Sequence, residues 1–242
     1  IPAVPLATPL YKEVKRQMMD ALARGDWKPG EAIPSEKDLA ARFQVSQGTV
    51  RKAVDELAKE HHLVRRQGKG TFVATHTEAR TQFRFLRLAP NDGEPEAYPE
   101  SRLLDVRRLR APAETAKLLD LRTGDALVMI RRVLVFRGEP TVLDEIALPA
   151  ALFRGLDAAK FNEYHGSMYD LFETEFGTRM VRADERIRAI AADAATAEIL
   201  RVKPGAPLLA VDRVAFTYGE RPVEFRRGLY RTDSHYYRNQ LV

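Results

Sequence analysis

The stretch GEAIPSEKDLAARFQVSQGTVRKAVDELAKEHHLVRRQGKGTFVA, residues 30–74, decides the fold of the first third of the chain. Ser35 stands ahead of a run in which Leu39, Ala40 and Phe43 share one helical face, and Asp38, three residues on, completes a capping box. That run stops near Val45. Ser46 then caps a second one, SQGTVRKAVDELAKE, whose Val50, Ala53, Val54 and Leu57 form a buried face while Gln47, Arg51, Lys52 and Asp55 lie opposite. Two short helices joined by a tight turn, the second polar and basic near its amino end, have the geometry that enters a major groove. LVRRQGKGTFVA, Leu63 to Ala74, sets strand-forming residues on both sides of Gly68-Lys69-Gly70 and predicts a hairpin. Its tip can bring backbone close to a phosphate or into a minor groove; an ordinary glycine-rich loop is the plainer reading.

Working outward, an earlier helix is expected with Thr8 as N-cap and Pro9 at the first helical position, where a missing N–H costs nothing. Leu10, Val14, Met18, Ala21 and Leu22 recur along it as one apolar stripe, and Gly25 and Pro29-Gly30 end it. Helix, helix, helix, hairpin within 74 residues is a far more specific signal than any of its parts.

The chain has 242 residues, which fits one large domain or two unequal ones. With 45% hydrophobic and 30% charged residues, it has the balance of a globular protein. No apolar run approaches the roughly 18 residues of a spanning helix, and IPAVPLATPL lacks the charged and apolar regions of a signal peptide. A cytoplasmic location is expected. No cysteine is present and the five histidines are scattered, so disulfides, thiolate zinc sites and cysteine nucleophiles are excluded and neither a metal nor a cofactor is expected. The net charge is only +5, but its placement is uneven: residues 42–74 carry 7 basic against 3 acidic groups, whereas the 168 residues after Ala74 carry 26 against 25. A polyanion would therefore meet the first third of the chain.

PLYKEVKRQM together with residues 30–74 resembles the amino-terminal winged helix-turn-helix of the GntR family of transcription regulators. The resemblance implies that Lys37 meets the phosphate backbone, that Gln47, Thr49 and Arg51 stand at the start of the recognition helix, and that Gly68 and Lys69 form the wing. The family usually has arginine where Gln47 stands. Arginine favours guanine O6 and N7 whereas glutamine pairs with adenine N6 and N7, so an operator altered at that base is expected.

Residues 75–82 are short and polar and are expected to link this domain to a second one over residues 83–242, with a further turn-rich stretch from Pro90 to Pro99. The second domain repeats itself at an offset of 81 positions. Val106 matches Ile187, Arg107 matches Arg188, Ala113 to Ala194, Thr115 to Thr196, Ala116 to Ala197 and Leu119 to Leu200. Gly124 then matches Gly205, Leu127 matches Leu208, Arg132-Val133 matches Arg213-Val214, and Gly138-Glu139 matches Gly219-Glu220. Each copy, about 102–148 and about 183–230, reads as strand, short helix, long strand, turn, strand. Two copies predict an α+β domain with a mainly antiparallel sheet of about six strands, helices on one face, and a ligand cleft where the halves meet.

RRVLVFRGEPTVLDEIALP, HGSMYDLFE and GAPLLAVDRVAFTYGERPVEFRRGLYRTD resemble the UTRA effector domain of the HutC branch of GntR regulators. The resemblance implies a chorismate-lyase-like fold without lyase activity, a homodimer on palindromic operator DNA, and a pocket for a small, often anionic, metabolite. The positions matching ligand motifs are Arg132, Glu145, Ser167, Tyr169, Glu224 and Tyr230. Arginine forks two N–H groups onto a carboxylate or phosphate, and tyrosine offers a stacking face with a polar tip. Each also has a plain structural reading: Arg132 and Glu145 as a strand ion pair, Tyr169 and Tyr230 as core aromatics, Ser167 as a helix cap. Sugar-phosphate sensors of this branch tend to carry a second arginine two positions after Arg132, where this chain has Leu134, which turns the expectation towards a carboxylated metabolite.

Two other functions stay open at this point. A lyase-like enzyme would need placed acid–base or nucleophilic groups, and the second domain offers His165 and His235 but no G-x-S-x-G elbow, metal set or Gly-rich phosphate loop. A constitutive architectural DNA-binding protein would need no ligand at all. A ligand-controlled repressor accounts for both halves of the chain.

Overall fold

A computed structural model of the protein describes residues 9–75, 86–94 and 97–239. Thr8, residues 76–82 of the expected linker and the last three residues of the tail lie outside the described residues. The chain divides into two compact units, Ile1–Glu78 with Tyr218–Glu220, and Ala79–Thr217 with Arg221–Val242.

The first unit is built on α1 (Leu10–Arg24), α2 (Glu36–Phe43) and α3 (Gln47–Lys59), followed by the hairpin β1 (Leu63–Arg66) and β2 (Gly70–Val73). Pro9 is the N-cap of α1 rather than its first helical residue, with extended backbone at ψ 135°. Leu10, expected in the buried stripe, is instead exposed, because the face that packs begins one turn later at Val14. The other two starts follow the capping pattern. Ser35 Oγ accepts from the Asp38 amide at 3.2 Å and Ser46 Oγ from the Thr49 amide at 3.1 Å, each contributing about 1 kcal/mol. Val14, Met18, Leu39, Val50, Val54, Leu57, Leu63 and Val73 close one core, which also takes in Trp27. Burying each of these large side chains contributes about 1.5–3 kcal/mol. An isolated antiparallel bridge at Ala32 joins the hairpin at β2, with Ile33 N donating to Thr71 O and Val73 N to Glu31 O, both at 2.9 Å.

The second unit is organised by a six-stranded sheet of β4 (Glu100–Arg110), β5 (Ala126–Phe136), β6 (Glu139–Pro149), β7 (Arg182–Ala191), β8 (Pro207–Thr217) and β9 (Arg221–Tyr230). The order is β4-β5-β6-β9-β8-β7, with every neighbour antiparallel. This order is a palindrome: β4-β5-β6 and β7-β8-β9 are the two copies of the 81-residue repeat, and they meet at β6 and β9. Their short helices, α4 (Ala113–Leu118) and α7 (Ala194–Leu200), cover one face, α4 over Leu127 and Ala147 and α7 over Val133, Leu143 and Leu208.

The sheet carries helices on both faces, not on one as the repeat predicts. The segment between the repeats forms α5 (Ala158–Glu163) and α6 (Met168–Phe176), which bury Phe153, Leu156, Leu171 and Phe172 on the opposite face over Val128, Ile130, Ile146 and Leu148. The rest of that face lies under a two-stranded ribbon of β3 (Leu88–Pro90) and β10 (His235–Tyr237), with Leu88 and Tyr237 packed against Leu134, Val211 and Tyr230. A sheet covered on both sides explains why β5 and β6 are apolar almost throughout.

Candidate functional site

In the first unit, capping by Ser46 leaves Gln47 exposed on the first turn of α3. Thr49 is half-buried and its hydroxyl lies 2.9 Å from Ser46 Oγ, inside the cap. Arg51 is exposed one turn along, and its Nε donates to Glu36 Oε2 at 2.9 Å. The other oxygen of Glu36 accepts both terminal nitrogens of Arg65 on β1 at 3.1 Å each, and Arg65 Nη2 also donates to Asp55 at 2.7 Å. These contacts gather the starts of α2 and α3 and the wing strand around one carboxylate. Lys52 turns away, its ammonium 4.0 Å from the centre of the Tyr11 ring. Lys37 on α2 and Lys69 at the hairpin tip are exposed and carry no ion pair among the described residues. Gly68 stands at φ +71° with open space around it, so the wing needs glycine there for its left-handed backbone.

In the second unit, strand parity separates the expected ligand residues. Arg132 faces the α5–α6 side, where Nε donates to Asp144 Oδ2 at 3.0 Å and Nη1 reaches Ser101 Oγ at 3.4 Å. Glu145 is directed to the other face and pairs with Arg131 at 3.2 Å, so the structure does not bring it to the other five; Asp144, one residue earlier, is the carboxylate at Arg132. Tyr169, on α6, donates to Glu224 Oε1 at 2.7 Å. Arg226 forks onto Glu224 at 3.1 and 2.9 Å, reaches Asp144 Oδ2 at 3.4 Å and lies 5.1 Å from the centre of the Tyr169 ring. Arg213, the repeat mate of Arg132, has Nη1 3.5 Å from the Tyr169 hydroxyl and donates through Nε to Glu185 at 2.7 Å. Glu185 also accepts from the Tyr237 hydroxyl on β10.

Three buried arginines and three carboxylates thus run in one line from Arg132 to Tyr237, and their formal charges cancel. Burial opposes the charge on Arg213 and Arg226, yet both hold their protons more firmly than a free guanidinium, Arg226 chiefly through Glu224 beside it. Burial pushes the Tyr169 hydroxyl well up and that of Tyr230 up to about 12, so both remain neutral donors. A Cβ on Gly228 would lie 2.6 Å from the Tyr230 ring and 3.1 Å from Asp144 Oδ1, so only glycine lets β9 pass this cluster.

A cavity of about 230 Å³ opens at the Arg132 end, lined by Ser101, Arg132, Phe161, Asn162, Tyr164 and the Gly166-Ser167-Met168 start of α6, among others. Ser167 Oγ caps α6 by accepting from the Asp170 amide at 3.1 Å, and Tyr164 donates to Asp170 at 2.7 Å, bracing the same turn. Arg132 and Ser167 therefore converge on one cavity, while Tyr169, Glu224 and Tyr230 sit in or against the buried network behind it. The cavity is not at the junction of the halves: β6 and β9 are hydrogen-bonded neighbours, so the pseudo-twofold runs through a closed sheet. Phe161, Asn162 and Tyr164 had no signal in the repeat because they lie between its copies. Arg213 had one, the offset that pairs it with Arg132.

Both units match known sequence families. Residues 10–73 match the bacterial regulatory proteins of the gntR family, and residues 96–236 match the UTRA domain. The chain belongs to the GntR family of bacterial regulators, in the group whose second domain is UTRA.

The chain is 28% identical over 217 residues to the probable fructoselysine utilization operon transcriptional repressor of Escherichia coli O157:H7, spanning 88% of this chain and 87% of that protein. It is 27% identical over 227 residues to the HTH-type transcriptional repressor NagR of Bacillus subtilis (strain 168), spanning 93% and 91%. Among solved structures, the ligand-binding domain of a GntR-family regulator from Bordetella bronchiseptica superposes with a TM-score of 0.65 at 53% identity, covering 66% of this chain and 98% of that one. PhnF from Mycobacterium smegmatis superposes at 0.52 with 25% identity, over 90% and 95%. The chain is accordingly a DNA-binding transcription regulator of a family that includes repressors, and not an enzyme. No described helix is long and apolar enough to cross a membrane.

Proposed function

We propose that the protein represses transcription as a homodimer on a palindromic operator, and that a small anionic, carboxylate-bearing metabolite in the Arg132 cavity controls its grip on DNA. The observation that carries this reading is the charge of the cavity wall. Among its lining residues Arg132 is a cation and none is a carboxylate, and the cavity borders the amino end of the nine-residue α6, the positive end of its dipole. Arg132 spends Nε and Nη1 on Asp144 and Ser101, while Nη2 carries no hydrogen bond among the described residues. A carboxylate meets that nitrogen and the α6 start, while Asn162, Ser101 and Tyr164 serve hydroxyl groups. At about 230 Å³ the cavity is smaller than the roughly 300–1,000 Å³ of pockets for drug-sized ligands and suits a small metabolite. Names among the relatives refer to fructoselysine and mannosyl-D-glycerate, compounds that both bear a carboxylate.

At the DNA end, Lys37 and Lys69 engage phosphates, Gly68 lets the wing backbone approach the duplex, Thr49 keeps the cap of α3 rigid, and Gln47 and Arg51 meet base edges. Coupling uses the buried line from Arg132 to Tyr237. Tyr237 belongs to β10, β10 pairs with β3, and β3 is the first described strand of the second unit. A ligand that draws Arg132 away from Asp144 changes the partners of Arg226, then of Tyr169, Arg213 and Glu185.

Fluorescence anisotropy on an operator selected from a randomised pool, titrated with carboxylate and phosphate metabolites, tests this reading. One carboxylate should shift operator affinity by about 5–150-fold and raise thermal stability, and Tyr237→Phe should keep ligand binding while losing the shift. Response to a sugar phosphate with none to any carboxylate would refute the ligand class. An equal shift in Tyr237→Phe would refute the coupling route. Gln47→Arg should change the preferred base at one operator position, and an unchanged preference would remove Gln47 from the base-reading set.

A further inference from the structure

Glu36 places a carboxylate among the cations of the surface that meets DNA, where each phosphate repels it. Helix capping does not explain it, since Ser35 and Asp38 close the amino end of α2 between themselves. Nor does the core, which takes Leu39 and Ala40 from that helix. What Glu36 does is hold two arginines at once, Arg51 of α3 through Oε2 at 2.9 Å and Arg65 of β1 through Oε1 at 3.1 Å, with Asp55 holding Arg65 from the other side at 2.7 Å.

We propose that Glu36 is a positioning residue for operator discrimination, resting on the DNA-reading role of Arg51 given above. A free arginine on a helix surface samples many rotamers and binds whichever phosphate is nearest, with no sequence information. Tied at Nε, Arg51 keeps its two terminal nitrogens directed away from the carboxylate as a fork, the arrangement that reads guanine O6 and N7 together. Glu36 offsets one of the two positive charges towards distant phosphates, Asp55 the other, which lowers attraction to random DNA. Glu36 therefore trades gross affinity for selectivity, and its removal should strengthen the binding of wrong sequences.

The test uses the full chain, an operator selected by the wild type from a randomised pool, and a scrambled duplex of the same length, over a salt series. Recovery of one consensus by the wild type is the separate check on the operator reading itself. Glu36→Gln should melt like the wild type and bind the scrambled duplex more tightly, with the slope of log affinity against log salt steeper by about 0.9 for each phosphate gained. Its operator-to-scrambled ratio should fall about tenfold. In an Arg51→Gln background the same substitution should change that ratio less than about twofold, because its effect on discrimination runs through Arg51. A ratio unchanged by Glu36→Gln alone overturns the proposal. So does an equal fall in the Arg51→Gln background, which would make Glu36 a direct reader of cytosine N4.

Discussion

Both units of this protein tie arginines to carboxylates, and they do so in opposite surroundings. On the surface of the first unit proposed to meet DNA, Arg51 keeps 61% of its side chain exposed while bonded to Glu36. In the second unit, the side chains of Arg132 and Asp144 are 4% and 1% exposed, and those of Arg226 and Glu224 are 8% and 0%. An ion pair in water contributes about 0–1 kcal/mol, so this one adds little to stability, and it leaves the terminal nitrogens of Arg51 open to solvent. A buried pair cannot be opened so cheaply, because the partner left behind is a charge without solvent. The first arrangement suits an arginine held at Nε with its terminal nitrogens available to a partner. The second suits a sheet that holds its charges in one register until a ligand offers a replacement.

Removing one buried cation should have the largest effect. Arg226→Met leaves both Glu224 and Asp144 without their shared partner, and it should cost about 3–5 kcal/mol in urea unfolding. A loss below about 1 kcal/mol would mean that water reaches this network and that the contrast between the units is false. The next largest effect belongs to the exposed cation. Arg51→Gln should leave unfolding within about 0.5 kcal/mol of the wild type while operator affinity drops by about 1–3 kcal/mol. If the operator loss equalled the loss on scrambled DNA, Arg51 would be a phosphate contact and the division between holding and reading would need redrawing.

The sequence revealed the two units unequally, for reasons that lie in particular residues. Caps at Ser35 and Ser46 and the faces of α2 and α3 were legible because a helix is specified within a few residues of itself. The bridge from Ala32 to Phe72 of the wing was not, since a single bridged residue carries no period. In the second unit the 81-residue offset disclosed six strands and their halves, and it missed α5 and α6 because they belong to neither copy. Glu145 shows the limit most clearly. Strand parity decides which of Asp144 and Glu145 meets Arg132, but Leu143, Ile146, Ala147 and Leu148 are all buried, so no alternation was available to read. The cavity itself depended on packing between Ser101, Arg132 and the start of α6, contacts that no local pattern announces.

Asp212 lies between these two surroundings, and its carboxylate makes the difference depend on pH. It lies on the α4–α7 side of the sheet with its side chain 12% exposed, between arginines from the strands on either side. Arg227 donates to it at 2.7 and 2.8 Å and Arg188 at 2.7 Å. The hydrogen bonds from Arg227 hold its carboxyl below the usual range, with Arg188 adding to them against the opposing effect of burial. A depressed carboxyl stabilises the fold fully above its unfolded value of about 3.9 and loses that contribution as pH falls through the folded value. Asp212→Asn should therefore cost about 1 kcal/mol at pH 7, the same at pH 5, and progressively less below about pH 4. Convergence of the two unfolding curves in acid would place the stabilisation in the ionised carboxylate. A gap that stayed constant down to about pH 2 would place it instead in packing between β7, β8 and β9, and the charge on this face would then hold nothing in register.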